Sequence, residues 1–283
     1  MNKITSQTPS QCVVLPQATL TKIRKNILGL RETCERRLED AIAQRMAEKQ
    51  MGPASYLVFV KGNEIEQNLL KKMTAVEKTY FFRPQEHYEL FAEELPKTIR
   101  RKGEALVWYP GCSSGEGPAS LYIVAAARST QTAEKTVIYA SDLRKEAIDK
   151  AKAGGPYSSA YALLEKGDKA AEWISFAKKK GLFIENPRDD SFLLSSAVTS
   201  SIKYLTHDLT TNAILGAFDF IFCCNVLFYY KRVVQVPIVQ KLFGALSRGG
   251  HLFLGDDDLK TISEALEGFK HERQSPTVIR RPL

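Results

Sequence analysis

The stretch ALVWYPGCSSGEGPASLYIVAAAR, residues 105–128, decides the fold. Ala105 to Tyr109 is a short apolar run closed by Pro110-Gly111, a turn of small residues follows, and Pro118 to Arg128 is Ala-rich and reads as a helix. The same grammar returns downstream. Thr136 to Ala140 is a second strand closed by Ser141-Asp142 and followed by a helix over Lys145 to Ala153. Phe218 to Cys223 is a third buried strand, followed by a helix from Val233 to Leu246. Arg248-Gly249-Gly250 then reads as a turn into the strand His251 to Gly255. Repeated strand–turn–helix units predict an α/β domain whose parallel sheet has helices on both faces.

Outward from this core the pattern changes. Residues 1 to 15 are polar and read as a tail. From Thr19, Leu20, Ile23, Ile27 and Leu30, then Leu38, Ile42 and Met46, recur at helical steps until Gly52-Pro53. Further helices are expected over Ser55 to Val60 and Glu64 to Met73, so residues 16–75 form a small all-helical domain. Residues 76–100 read as a linker and 101–283 as the α/β domain. The segment 157–206 breaks the alternation and is long for a connection. It is expected to hold a helix over Lys169 to Lys179 and short strands at Gly181 to Glu185 and Ser200 to Leu205, as an inserted antiparallel appendage.

Composition narrows the class. The chain has 283 residues and a formal charge of +8, with 44 % hydrophobic and 25 % charged residues, values of a globular protein rather than a disordered one. No apolar run nears the ~20 residues that span a bilayer, and the opening residues form no secretory signal. Five cysteines without CxxC spacing suit neither a disulfide framework nor a zinc site, so a cytoplasmic location is expected, with no metal. The positive balance is compatible with polyanionic partners, but no basic run with interleaved aromatics marks a nucleic-acid binder.

The loop Gly111 to Gly117 has the pattern G-x-x-x-G-x-G, neither the dinucleotide fingerprint nor a phosphate cradle. Asp142 closes the second strand, where a carboxylate can accept from the hydroxyls of a ribose. Singly, the glycines fit a plain βα turn and Asp142 a helix cap. Together, a glycine loop and an end-of-strand acid without a pyrophosphate grip describe a site for a non-phosphorylated adenosine such as S-adenosylmethionine.

Thr79-Tyr80-Phe81-Phe82-Arg83, the loop GCSSGEGP, the string IYASDL, and FDFIFCCNVLFYY followed by GGHLFLG stand in an order and spacing that resembles the CheR-type chemoreceptor glutamate O-methyltransferases. The resemblance implies a helical N-terminal domain, a linker, and a Rossmann-like S-adenosylmethionine-dependent methyltransferase domain with a small inserted β-subdomain. By position it implies that Glu77, Thr79, Arg83, Gly111, Ser113, Glu116, Gly117 and Asp142 face the cofactor. Asp208-Leu209 and Asn225-Val226 take the places of the family's Asn-Leu and Asn-Val pairs, and Tyr229 that of a tyrosine near the transferred methyl. The chain departs from the family at Glu77 (an asparagine there), at Gly117 (the second Glu of G-E-E-P) and at Cys224 (the Arg of C-R-N). The insertion shows no Gly-Arg loop of the kind that grips a receptor's C-terminal pentapeptide, so tethering through that peptide is not expected.

The resemblance implies methyl transfer to glutamate side chains on the cytoplasmic helices of chemoreceptors, with Arg83 and Tyr229 orienting the carboxylate. Such a displacement needs no general base, since a glutamate is ionised above ~4.3. That suits four histidines with no catalytic clustering. Arg83 is the natural clamp for one carboxylate oxygen, or else a surface ion pair with Glu86; Tyr229 is a hydroxyl donor or a core aromatic. Cys112 and Cys224 read as small buried residues rather than nucleophiles. Arg36, Arg37, Arg45 and Lys49 are expected to form a basic helix face that steers toward an acidic bundle. Two other readings stay open: a methyltransferase on a different substrate, and a regulatory protein that binds S-adenosylmethionine or S-adenosylhomocysteine without turnover.

Overall fold

The structure is a computed structural model, and it describes residues 15–30, 35–74, 79–164, 167–210, 216–255 and 259–283. The chain divides into two compact units, residues 1–76 with 229–231, and residues 77–228 with 232–283.

The first unit contains α1 (Gln17–Thr21), a π turn (Lys22–Ile27), α2 (Glu35–Lys49), α3 (Pro53–Gly62) and α4 (Glu64–Thr74). Its apolar positions are those expected from the helical spacing: Leu20, Ile23, Leu38, Ile42 and Met46 are buried together with Tyr56, Val60 and Leu70. Pro53 at the first turn of α3 loses no bond there, because the leading amides of a helix have no partner within it. Tyr229–Lys231 groups with this unit through a bridge between Leu30 and Tyr230 and a bond from Lys231 N to Gly29 O of 2.7 Å. Glu66 is buried. Its carboxylate accepts from Arg45 Nε and Nη2, both at 2.8 Å, and from Tyr56 Oη at 2.6 Å. The basic face expected on α2 is therefore smaller than the spacing suggests. Arg45 turns inward to Glu66 and also pairs with Glu48, while Lys49 lies 3.8 Å from Glu66 and over the Phe59 ring. Arg36 and Arg37 remain exposed.

The second unit opens with α5 (Gln85–Lys102), so much of the stretch read as a linker is helical. Then come β1 (Ala105–Pro110), α6 (Glu116–Arg128), α7 (Thr130–Glu134), β2 (Thr136–Asp142) and α8 (Lys145–Ala153). The insertion contributes β3 (Tyr157–Ser158), α9 (Ser159–Ala162), α10 (Asp168–Lys179), β4 (Phe183–Glu185), β5 (Ser191–Leu194) and α11 (Ser196–Thr199). The remainder is β6 (Ile202–Thr206), β7 (Phe218–Cys223), α12 (Arg232–Gly244), β8 (Leu246–Leu254), α13 (Leu259–Ala265), β9 (Glu272–Ser275) and β10 (Val278–Arg280).

Seven strands form the main sheet in the order β6-β2-β1-β7-β8-β10-β9, with the first five parallel and the C-terminal hairpin antiparallel. Every residue of β7 is buried, as expected of a central strand covered on both faces. The order reverses between β1 and β7, which is where an open α/β sheet holds its ligands. Asp219 near the start of β7 accepts from Leu106 N at 3.0 Å and Lys102 Nζ at 2.6 Å, tying β1, β7 and the end of α5 together.

Two expectations are corrected. The strand expected at Ser200 to Leu205 is not part of the appendage; it is β6, an edge strand parallel to β2 in the main sheet. As an edge strand it is only partly buried. The appendage is instead the three-stranded sheet β3-β5-β4. Likewise Arg248-Gly249-Gly250 is not a turn before a strand but an irregularity inside β8, where the β7–β8 register shifts. A side chain at Gly250 would crowd the carbonyls of Ser247 and Asp219, each within about 3 Å.

Candidate active site at the carboxyl ends of the central strands

The loop after β1 turns on Gly111 (φ +72°), Ser113 (φ +49°) and Gly115 (φ +100°). Glycine is required at Gly111 for space as well as conformation, because a Cβ there would overlap Val226 Cγ2. Gly111 at the tip of β1 and Val226 past the tip of β7 are thus packed on each other, and Asn225 beside Val226 adopts φ +58°. At Gly115 a Cβ would press on Ala151 of α8.

Asp142 ends β2 and is almost fully buried. Its Oδ2 accepts from Ser113 N at 2.8 Å and its Oδ1 from Arg144 N at 2.9 Å, with Arg144 Nε at 3.5 Å. Arg144 also donates to Ser113 Oγ at 3.2 Å. The bond to Arg144 N is the local cap-like contact allowed by the sequence. The bond to Ser113 N is a long-range one that joins the acid to the glycine loop. A carboxylate oxygen has about two acceptor positions, and Ser113 N takes one of those on Oδ2.

Glu116 begins α6, buried, with both carboxylate oxygens 2.9 Å from Ser114 Oγ. At Gly117 a Cβ would overlap the ring of Tyr109, which stacks on Phe222 at 5.9 Å. Tyr157 in the appendage donates to Ser114 O at 2.7 Å. Asp208 Oδ1 accepts from Thr210 N at 2.8 Å and Thr210 Oγ1 at 2.7 Å, and Leu209 beside it is buried.

Upstream, Thr79 to Arg83 leads into α5. Phe81 and Phe82 are fully buried and point to different partners. The Phe81 ring lies 5.5 Å from Tyr157, 5.0 Å from Phe183 and 5.6 Å from Phe192 in the appendage. The Phe82 ring meets Tyr88 at 5.9 Å and Trp173 at 5.4 Å. Thr79 and Arg83 are half-buried, and the Arg83 guanidinium lies over the Tyr80 ring, 4.9 Å from its centroid. Tyr229 closes the short turn Leu227–Tyr229 and groups with the helical unit. Glu77 lies outside the described residues.

Several features had no signal in the sequence. His87 in the first turn of α5 is buried, with Nε2 2.9 Å from Thr277 Oγ1 and Nδ1 3.4 Å from Cys224 Sγ. Burial pushes His87 and His251 down to about 4, and burial pushes the Cys112 thiol well up, which keeps it from being a thiolate. Ser120, Tyr109 and Tyr157 also became visible only in three dimensions, since their partners lie on other elements. Among the described residues no three His, Cys, Asp or Glu side chains group as a metal site. Among them, too, no helix is long and apolar enough to cross a membrane.

A parallel sheet whose glycine loop follows β1 and is bonded to an acid closing β2 is the architecture of S-adenosylmethionine-dependent methyltransferases. Residues 77–275 match the family model described as CheR methyltransferase, SAM binding domain. The chain belongs to the CheR methyltransferase family. Its relatives include a protein named chemotaxis protein methyltransferase in Listeria innocua serovar 6a, 31 % identical over 180 residues, a match that spans 63 % of each chain. Chemotaxis protein methyltransferase 2 of Vibrio cholerae serotype O1 is 28 % identical, covering 79 % of this chain and 76 % of its own. The chemotaxis protein methyltransferase of Listeria monocytogenes serovar 1/2a is 28 % identical, covering 84 % and 87 %.

Proposed function

We propose that this protein methylates glutamate side chains on the cytoplasmic helices of chemoreceptors, with Arg83 and Tyr229 orienting the carboxylate. The names of the relatives support the chemotactic setting. One geometric observation carries the site reading: the Thr79–Arg83 turn is bonded to the helix that begins in the glycine loop, through Phe82 N and Ser120 Oγ at 2.9 Å.

Bound S-adenosylmethionine supplies an electrophilic methyl carbon and leaves as a neutral thioether. The chain's residues have a positioning task, worth up to ~7–11 kcal/mol in such reactions. Asp142 Oδ2 would accept from the ribose of the bound cofactor, and Glu116 would face that cofactor from the start of α6. Gly111, Ser113 and Gly117 let the loop's main chain approach. Thr79, Asp208-Leu209 and Asn225-Val226 line the pocket, and Glu77 stands at the sequence position of the family's cofactor-facing asparagine. Arg83 holds one oxygen of the incoming carboxylate while the other attacks, and the Tyr229 hydroxyl fixes the angle. Transfer would carry only the methyl group to the carboxylate oxygen, with the C–S electron pair left on sulfur, so no residue of the chain has to move a proton. Neutral buried histidines are consistent with that chemistry. Arg36 and Arg37 attract the acidic receptor helices.

The test is transfer of a tritiated methyl group to receptor-containing membranes, with the product scored as base-labile ester released as methanol. The intact protein is expected to label receptors, and Arg83→Ala to lose about 100-fold or more, the scale of a lost charge-assisted clamp. A base-stable product would point to another substrate. Binding of S-adenosylhomocysteine without any transfer would point to a regulatory protein.

A further inference from the structure

We infer that Ser120 is a positioning residue for Arg83, the post that holds the arginine's turn against the cofactor loop. The inference rests on the role given to Arg83 above. Phe82, the residue before Arg83, has φ +60°. A bulky aromatic rarely takes that conformation, and it persists only where the surroundings impose it.

The surroundings are visible. Both Phe82 and Ser120 are 0 % exposed, so the Phe82 amide needs a partner inside the protein. That partner is Ser120 Oγ at 2.9 Å, on α6, 38 positions along the chain. The serine hydroxyl donates its own proton to Glu116 O at 2.7 Å. With the proton committed, a lone pair of Oγ is aimed at the Phe82 amide. One hydroxyl thereby connects Glu116, the acid of the glycine loop, to the left-handed residue that sets the direction in which Arg83 leaves the core. Phe81 N donates to Ala162 O at 2.8 Å, which ties the other end of the turn to the appendage. The aromatic contacts of Phe82 fill volume but are not directional in the way this bond is. Removing the hydroxyl leaves the amide of a strained residue unpaired. The turn then relaxes away from α6, and Arg83 loses the direction that the turn gives it.

The experiment measures tritiated methyl transfer to receptor-containing membranes, as kcat and KM for receptor, by the full chain and by Ser120→Ala, Ser120→Thr, Arg83→Ala and the double variant Ser120→Ala/Arg83→Ala, with thermal melting of each. Ser120→Ala is expected to slow transfer about tenfold, as for loss of one buried hydrogen bond, and Ser120→Thr, which keeps the hydroxyl, to stay within about threefold. The double variant is expected to transfer within about twofold of Arg83→Ala alone, because a positioning residue has nothing left to position. Wild-type transfer by Ser120→Ala, failure of Ser120→Thr to restore it, or additive losses in the double variant would each overturn the inference. Should Ser120→Ala fail to fold, Ser120→Cys, with its weak acceptor, takes its place in the same cycle. If Arg83→Ala itself methylates like the intact protein, the fault lies with the role given to Arg83.

Discussion

Gly111 concentrates two constraints in one residue, a positive φ and no room for a Cβ beside Val226. Gly111→Ala is expected to cost the site about 1–3 kcal/mol in backbone strain alone, about tenfold or more in affinity for S-adenosylhomocysteine. Adding Val226→Ala should recover the steric part and leave the strain. Calorimetry on the three variants separates the two, and no recovery would mean that the contact with Val226 is unimportant. The loop pattern identified Gly111 as special, but the identity of its neighbour depends on how β1 and β7 are paired. Gly117 is the counterpart case. In the sequence it is a missing acid; in the fold it is the space taken by the Tyr109 ring.

Helix α2 shows how element geometry redistributes charge that spacing had grouped. Arg45 is the half-buried partner of buried Glu66, whereas Arg36 and Arg37 face solvent. Arg45→Ala is expected to destabilise the helical unit by about 1–3 kcal/mol, because it removes two of the three hydrogen bonds to a buried carboxylate that keeps Tyr56 and Lys49; circular dichroism of thermal unfolding measures this. Reversing Arg36 and Arg37 to Glu should slow receptor methylation severalfold at low salt, with the difference fading at high salt and affinity for S-adenosylhomocysteine unchanged. Equal rates at low salt would remove the steering role. The helical periodicity of α2 was legible. The inward turn of Arg45 was not, because its partner sits on α4 and no spacing rule links the two.

The whole molecule should respond to acid one unit at a time. His87 and His251 in the second unit are held neutral by burial, down to about 4 against an ordinary 6.5. The unfolded chain therefore binds protons that the native unit refuses. Stability is full above about pH 6.5 and falls toward pH 4 by up to ~1.4 kcal/mol per pH unit per histidine. Glu66 in the first unit behaves differently: hydrogen bonds from Arg45 hold its carboxyl below the usual carboxylate range, against the cost of burial. Its contribution is present above ~4.3 and is lost only as pH falls through its lowered value. Both tryptophans, Trp108 and Trp173, lie in the second unit. The thermal midpoint followed by tryptophan fluorescence is expected to drop between pH 7.5 and 5, and less so in His251→Gln. A midpoint independent of pH over that range would contradict the burial argument.

From the residues alone came the alternation of strands and helices, the helical start, the glycine loop, the closing Asp142 and the motif order of the family, because periodicity and turn chemistry are local properties. Pairing is not local. That β6 joins the main sheet, that Ser113 N meets Asp142, that Ser120 holds Phe82 and that His87 reaches Cys224 and Thr277 depend on which surfaces are brought together. Only the packed sheet and its helices decide that, since burial forces each polar group to find a partner wherever the chain happens to return.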